Sequence, residues 1–497
     1  MRVWLLPVLG CCCLFGCASF DPHAQPPAQQ RVQRDDALGE CARMFQVSDR
    51  LVDEAGTRDA QSTRVPGFPH LRVDRVLTQL APRVGDPVDQ VQEWHAALVA
   101  LDDTDRGFEL VNANQVAAVS VDALAVCRQR LAVADRDEMT ALLAAARVPD
   151  DYSTSQRALG LYLLTRYAFA AGIRRWQEET LAGFAAHTSA DPGAHRRQRY
   201  VPTSSPQSLP MVRNLPALGL PVISRSLLAS LIMRHAPQLE IETEGAHDHP
   251  GELVWQHDGV GPAQIGVAPE SPTLYVRTGH AQLGGRWLLQ LSYTIWFAAR
   301  PPTQAHDLLA GQLDGLLWRV TLAEDGAPLV YDTIHPCGCY HLFVPSERLR
   351  AWRQEESIDE GLFAPQALRA PAVDERVVLK LAAGTHYLQQ VEVVPSSGKP
   401  GIALNLHDED QLRALPLPGG GTRSAFGPDG LIAGSERLER FYFWPMGILS
   451  AGQMRQWGRH ATAFVGRRHF DDPTLLDRYF EYVPQSEEPA GGGRPKP

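Results

Sequence analysis

Apolar residues recur at three- and four-residue spacing in the first third of the chain, between about Asp36 and Gly193. This spacing predicts an all-helical domain over residues 36–193. Ser153 and Gln156 match the capping box of one helix. The apolar face of that helix is formed by Leu159, Leu163, Tyr167, Ala170, Ile173 and Trp176. We expect a core helix here, because arginines interrupt the apolar run and it is too short to span a bilayer.

From about residue 240 the spacing changes to period two, which is typical of strands. Trp287–Phe297 alternates between apolar and polar residues, so we expect a strand with one buried face. Gly284 and Gly285 before it predict a hairpin with Thr273–Leu283. Further strands are predicted at 316–322, 329–335, 377–381 and 387–394. The pattern favours an antiparallel β-sandwich or barrel-like domain over residues 240–395, and the fold class is α+β.

Three other stretches have weaker patterns. Residues 194–239 are rich in proline and predict a linker with a short helix around Ser224–His235. Residues 396–482 predict a small mixed C-terminal region, and residues 483–497 a disordered tail.

The N-terminus carries one basic residue, an apolar run over Val3–Phe15, and Leu14-Phe15-Gly16-Cys17. This resembles the lipobox of bacterial lipoproteins. The resemblance implies that residues 1–16 are a signal peptide, that Cys17 is lipidated, and that the protein is anchored in the bacterial cell envelope. Ala18 after the lipidated cysteine implies the outer membrane, facing the periplasm, rather than the inner membrane. Residues 17–35 are rich in Pro, Gln and Ala, which predicts a flexible tether.

The chain has 47 basic and 57 acidic residues and a net charge of −10. Such a chain is a poor candidate for binding nucleic acid. The expected partners are the membrane, through the lipid, and an envelope component such as peptidoglycan or another envelope protein.

Beyond the lipidated residue, an exported chain would keep Cys41, Cys127, Cys337 and Cys339. An oxidising compartment favours disulfides, and four cysteines allow three pairings. We expect Cys41 to pair with Cys127, which leaves the two close cysteines to each other.

The stretch Ile334–His341 concentrates coordinating side chains, at His335, Cys337, Cys339 and His341. All four share one face of a regular strand, but alternate side chains are about 6.6 Å apart there, too far to share one zinc ion. Pro336 and Gly338 would have to bend the strand. With His280 from the neighbouring hairpin, these ligands suit Zn(II) or Cu(I) and a metal-dependent hydrolase.

Two other interpretations of this stretch are open. Cys337 and Cys339 could form a strained, reducible disulfide and act in thiol–disulfide exchange. Alternatively, they form a static disulfide or two buried thiols that stiffen a loop, which is the interpretation favoured for an exported protein.

Two further polar groups are candidates. His247, His249 and His257 could bind a metal, although a solvated loop explains them as well. Arg467, Arg468 and His469 suit anion binding, but nearby acidic residues favour ion pairs.

The chain has no G-x-S-x-G, H-E-x-x-H, P-loop or dinucleotide-binding motif. Whether the protein is an enzyme is therefore left open. We favour a lipid-anchored binding or scaffolding protein of the envelope, with the metal-dependent hydrolase and the thiol–disulfide protein as alternatives.

Overall fold

The computed structural model describes residues 21–83, 86–114, 119–132, 136–187, 196–203, 211, 213–257, 261–352, 357–396 and 400–483 of the chain. Cys17, the predicted signal peptide and all of the predicted tail beyond Val483 lie outside these residues.

The described chain has the predicted α+β organisation, with a helical region first and a large curled sheet after it. The helices of the first region are α1 Pro26–Val32, α2 Ala37–Ala55, α3 Arg75–Gln79, α4 Val88–Asn112, α5 Val121–Arg130, α6 Arg136–Ala145, α7 Thr154–Leu159 and α8 Tyr162–His187. A short hairpin of β1 Thr63–Val65 and β2 Phe68–Val73 lies among them, which the helical spacing did not predict. Two later helices are α9 Arg225–His235 and α10 Arg440–Phe443.

Part of the predicted flexible tether is instead folded. Helix α1 lies within residues 17–35, packs against α2 and β2, and buries Ala28. Arg31 of this helix also forms an ion pair with Glu138 of α6. Low apolar content misled the prediction, because one buried alanine and one ion pair are enough to dock a two-turn helix.

The large sheet has ten strands in the order β11-β10-β9-β8-β7-β15-β3-β4-β13-β14. Their bounds are β3 Arg197–Pro202, β4 Gln238–Glu242, β7 Thr273–Leu283, β8 Arg286–Arg300, β9 Gly311–Leu322, β10 Pro328–Ile334, β11 Leu342–Pro345, β13 Glu375–Leu381, β14 Leu388–Pro395 and β15 Ile402–Asp408. The remaining strands form two-stranded ribbons, with β5 Glu252–Gln256, β6 Gln264–Ala268, β12 Leu349–Ala351, β16 Leu415–Pro416, β17 Thr422–Arg423 and β18 Phe480–Tyr482.

The sheet is mixed, so the prediction of an antiparallel domain is wrong in part. The predicted hairpin of β7 and β8 is confirmed, with its turn at Gly284 and Gly285. Three pairs are parallel, however: β4 with β13, β3 with β15 and β7 with β15. Strand β15 inserts between β3 and β7 after a long excursion of the chain, and no local turn constrains its direction.

Strand β8 is buried on both faces over most of its length, not on one face as expected. The alternate side chains from Leu289 to Phe297 belong to the largest core, which also includes residues of α9. Two of the three uncharged polar residues on its other face have polar partners: Gln290 bonds to Thr321 at 3.0 Å and Thr294 to Glu409 at 3.0 Å, whereas the hydroxyl of Ser292 has none among the described residues. Hydrogen bonding removes the penalty of burying the first two, so alternation of polarity did not mean exposure.

The helix predicted to begin at Ser153 is divided into α7 and α8 at Gly160. Ser153 caps α7 as predicted, by accepting a bond from the amide of Gln156. The expected core face is wrong at its start, where Leu163 and Tyr167 are 70% and 59% exposed, but Ala170 is buried as expected and Ile173 packs beside it. Only the second half of α8 reaches the sheet, where Phe184 joins the largest core.

Two other local predictions are confirmed. Helix α9 begins after Ser224, which caps it, and a disulfide joins Cys41 of α2 to Cys127 of α5. No helix among the described residues is long and apolar enough to cross a membrane.

Candidate functional site

The stretch after β10 turns sharply, as the prediction of a bend at Pro336 and Gly338 required. The amide of Gly338 donates to the carbonyl of His335 at 2.7 Å, and the amide of His335 donates to the carbonyl of Cys339 at 3.0 Å. Gly338 has a φ of 92°, in the left-handed region that glycine adopts readily. The turn directs the side chains of this stretch to different surroundings.

The predicted site for zinc or copper at His335, Cys337, Cys339, His341 and His280 is therefore not formed. His341 bonds to Asp332 at 3.1 Å, away from the surroundings of His335. Register across the sheet places Tyr275 of β7 level with Ile334, so His280 lies five residues, or about 16 Å, further along. Among the described residues there is no group of three or more His, Cys, Asp or Glu side chains that could hold a metal ion.

Cys337 and Cys339 are two buried thiols in a small apolar core with Leu313, Trp296 and Met454. Hydrogen bonding by Cys337, together with burial, raises the pKa of Cys339 well above its ordinary value. A raised pKa disfavours the thiolate needed for exchange. The arrangement favours the interpretation of two thiols that stiffen a loop.

A buried chain of alternating carboxylates and imidazoles runs from Asp248 through His386 and Asp314 to His335. His386 lies 3.4 Å from Asp248 through Nε2 and 2.9 Å from Asp314 through Nδ1. The other carboxylate oxygen of Asp314 lies 3.3 Å from Nδ1 of His335. The strands and turns that supply these residues are far apart in sequence, so sequence reasoning identified His335 and missed Asp314 and His386.

Three members of this buried polar chain have pKa values shifted towards their charged forms: Asp248, Asp314 and His386. Burial alone would raise the pKa of Asp314, but His335 and His386 hold it well below its ordinary value. Burial would likewise lower the pKa of His386, yet Asp248 and Asp314 raise it. For His335, burial outweighs Asp314 and lowers the pKa. We infer that a charged Asp314 accepts a hydrogen bond from Nδ1–H of a neutral His335.

The backbone around Asp314 adopts unfavourable conformations at three residues. Leu313, Tyr340 and His386 have φ values of 57°, 62° and 52°. Residues other than glycine rarely adopt this region, and such residues often cluster at functional sites.

A cavity of about 240 Å³ lies between the second half of α8 and the sheet. Five rings line it: Trp176, Phe184, His335, Tyr340 and Tyr387. The ring of Tyr340 lies 5.4 Å from Trp176, 5.0 Å from His335 and 4.7 Å from Tyr387, centroid to centroid. The wall also contains the apolar side chains of Leu316, Leu342 and Leu388 and the polar side chains of Glu179 and Thr180.

The cavity wall also carries buried polar atoms that lack a partner among the described residues. These are Oγ1 of Thr333 and Oε1 of Gln389. The amide nitrogen of Gln389 is occupied, since it donates to Glu242 at 3.1 Å. Nδ1 of His335 is bonded to Asp314, so Nε2 is the ring nitrogen available to a ligand.

The predicted anion-binding residues are engaged within the protein. Arg467 forms an ion pair with Asp150, and His469 lies 3.3 Å from the same carboxylate. Arg468 is buried and donates to the carbonyl of Gly361 at 3.0 Å. The anion-site prediction is replaced by the ion-pair interpretation, because local acidic and carbonyl oxygens occupy these donors.

Two of the three histidines near residue 250 have separate partners. His249 bonds to the hydroxyl of Tyr200 at 2.8 Å, while His247 lies 3.4 Å from Asp248.

No family model matches the chain, and no curated protein or solved structure has significant similarity to it.

Proposed function

We propose that the protein is a lipid-anchored protein of the bacterial envelope that binds a small ligand in the cavity between α8 and the sheet. The lipobox resemblance supports the anchor. The unpaired Thr333 and Gln389 oxygens in the cavity wall carry the proposal of binding. A buried polar group without a partner costs about 1–3 kcal/mol, and a ligand that hydrogen-bonds to it recovers that free energy.

The size and lining of the cavity define the class of ligand. Its volume of about 240 Å³ is below the roughly 300–1,000 Å³ of sites for drug-sized molecules, which suits a ligand with a single ring. Trp176, Tyr340 and Tyr387 offer edges and faces to a planar body. The amide oxygen of Gln389 accepts hydrogen bonds only, so the ligand should carry an N–H or O–H donor.

Benzamide combines these properties and is a suitable probe. Gly183 of α8 lines the cavity, and a Cβ built on it meets nothing within 4 Å. We expect Gly183→Leu to fill part of the cavity and to weaken benzamide binding at least about tenfold, a loss of about 1.4 kcal/mol. Isothermal titration of the full-length protein in detergent measures the affinity.

Gly172→Leu is the matched control, because Gly172 lies on the same helix, has equally open space at Cβ and does not line the cavity. Benzamide should bind this variant as it binds the wild type. Equal binding to the Gly183→Leu protein, or no binding to the wild type, would contradict the proposal.

A hydrolase with His335 as general base is the second candidate. The observation in its favour is the bond to Asp314, which orients a neutral imidazole with Nε2 available to accept a proton. In such a reaction His335 would take a proton from water as its oxygen attacks the amide carbon of benzamide. The imidazolium would then protonate the nitrogen of the tetrahedral intermediate, so that the C–N bond breaks and ammonia leaves. Release of benzoate that is lost in His335→Gln would favour the enzyme, whereas binding without benzoate favours the binding protein.

A further inference from the structure

Large apolar side chains are exposed on the first half of α8 and on the segment that contains α10. Six of them define what we name the α8 apolar surface: Leu161, Leu163, Leu164, Tyr167, Tyr442 and Trp444. Their exposed fractions lie between 38% and 70%. Single exposed apolar residues are common in proteins, but a group of this size indicates a binding surface.

The two segments form one continuous surface. Gly160, next to Leu161, packs so closely against Pro445, next to Trp444, that a Cβ on the glycine would come within 2.6 Å of the proline Cα. About two turns into α8, the ring of Phe169 contacts Phe443 at a centroid distance of 5.3 Å.

The part of this surface on α8 is positively charged. Residues 153–176 contain no acidic residue, whereas Arg166, Arg174 and Arg175 lie on this part of α8. The guanidinium of Arg166 lies 5.5 Å from the ring of Tyr167. Exposed acidic residues also lie beside it: Glu436 precedes α10, Asp359 packs beside Gly466, and Glu178 and Glu179 follow further along the helix.

We propose that the α8 apolar surface lies on an anionic lipid bilayer. Leucine side chains enter the acyl region of such an interface, tyrosine and tryptophan favour the headgroup level, and arginines attract anionic headgroups. A symmetric contact between two copies would instead place Arg166, Arg174 and Arg175 near the same arginines of the other copy. This inference is independent of the cavity and its ligand.

Fluorescence quenching by brominated lipid tests the proposal on the full-length lipidated protein. The protein is reconstituted into vesicles of phosphatidylethanolamine and phosphatidylglycerol, or of phosphatidylcholine alone, each with and without brominated phosphatidylcholine. The difference between wild type and Trp444→Phe isolates the emission of Trp444. We expect brominated lipid to quench this emission, and more strongly in the phosphatidylglycerol vesicles.

Charge and apolar variants separate the two contributions. Each arginine near an anionic surface contributes about 1 kcal/mol, so Arg174→Gln with Arg175→Gln should lower the ratio of docked to undocked protein about 25-fold. Leu163→Glu with Leu164→Glu should abolish the quenching of Trp444 while leaving the thermal unfolding temperature unchanged. Trp352, which is 46% exposed outside this surface, supplies the control, and its emission should be unquenched in the wild type.

Two outcomes would overturn the proposal. One is emission from Trp444 that brominated lipid does not quench in either kind of vesicle. The other is an oligomer in detergent that light scattering shows to dissociate in the Leu163→Glu, Leu164→Glu protein, since this would assign the surface to contact between protein chains.

Discussion

Thr333 is the residue that most clearly separates the cavity from an ordinary core. It lies on β10, is 1% exposed, and its hydroxyl has no partner among the described residues. Valine has nearly the same shape and an equal preference for strands, so packing alone does not require a hydroxyl at this position. A ligand that bonds to Oγ1 gives the hydroxyl a physical role.

Thr333→Val should stabilise the ligand-free protein and weaken ligand binding. Removing an unpaired buried hydroxyl at nearly constant shape should raise the free energy of unfolding by about 1 kcal/mol. The lost hydrogen bond should weaken benzamide binding about fivefold, or about 1 kcal/mol. Urea denaturation and isothermal titration measure the two effects.

Thr321→Val is the matched control for this prediction. Thr321 is also fully buried in the sheet, but its hydroxyl accepts a bond from the amide nitrogen of Gln290 at 3.0 Å. The same substitution should destabilise there by about 1–3 kcal/mol, because Gln290 loses its partner. If both variants were destabilised alike, the hydroxyl of Thr333 would have a partner in the folded protein and the cavity would lose its main polar feature.

Sequence reasoning identified one residue of the buried polar chain, His335, because it stands beside two cysteines and a second histidine. Its actual partner, Asp314, precedes it by 21 residues on another strand, and His386 follows Asp314 by 72 residues. No local spacing encodes these contacts, since pairing of β9 with β10 and a turn after β13 bring the residues together. Likewise, His335 and His341 are close in sequence, but the turn at Gly338 places them beside different carboxylates, Asp314 and Asp332.

Among the elements, α8 shows that a helical pattern predicts a helix but not what its apolar face contacts. The pattern correctly predicted the helix and its cap, but a periodic apolar face has the same appearance whether it meets a core, a ligand or a membrane. In the first half of α8, Leu163, Leu164 and Tyr167 are exposed while Ala170 packs in a small core, and the second half covers the cavity. The β7 and β8 hairpin was predictable because its turn is local, whereas the place of β15 depends on a distant pairing.

The junction of α7 and α8 is fixed by close contact with the segment at Pro445. Gly160 has an ordinary φ, but a Cβ on it would lie 2.5 Å from Cβ and 2.6 Å from Cα of Pro445. Gly160→Ala should therefore displace one of the two segments and lower the free energy of unfolding by about 1–3 kcal/mol. Urea denaturation measures the change, and Trp444 emission reports the displacement.

Gly172→Ala gives the opposite expectation within the same helix. A Cβ at Gly172 meets nothing within 4 Å, so alanine should stabilise α8 by about 0.5–1 kcal/mol through its higher helix propensity. If Gly160→Ala stabilised the protein as well, the contact with Pro445 would be looser than the structure has it.

Across the whole molecule, buried ion pairs connect the helical region to the sheet. Asp105 of α4 and Asp59, which precedes β1, both pair with Arg413, at the end of the short helix that follows β15. All three residues are at most 7% exposed. The guanidinium of Arg413 also stacks 4.3 Å from the ring of Phe108. The predicted division of the chain into domains stays a prediction, but a polar contact buried between its parts should couple their unfolding.

Arg413→Met tests this coupling, because it leaves Asp59 buried without its cation and Asp105 with only the more distant Arg72, at 3.7 Å. Removing one partner of a buried ion pair costs about 3–5 kcal/mol, so the free energy of unfolding at pH 7.5, measured by urea denaturation, should fall by this amount.

The loss should also depend on pH. Burial already raises the pKa of Asp59 above its ordinary value, and loss of Arg413 should raise it further. A carboxyl with a raised pKa binds its proton more tightly when folded, so the variant should regain stability as the pH falls from 7.5 towards 5. Arg369→Met, which breaks an exposed ion pair with Glu375, should change stability little at either pH. Equal effects of the two substitutions would mean that the contact at Arg413 does not hold the helical region to the sheet.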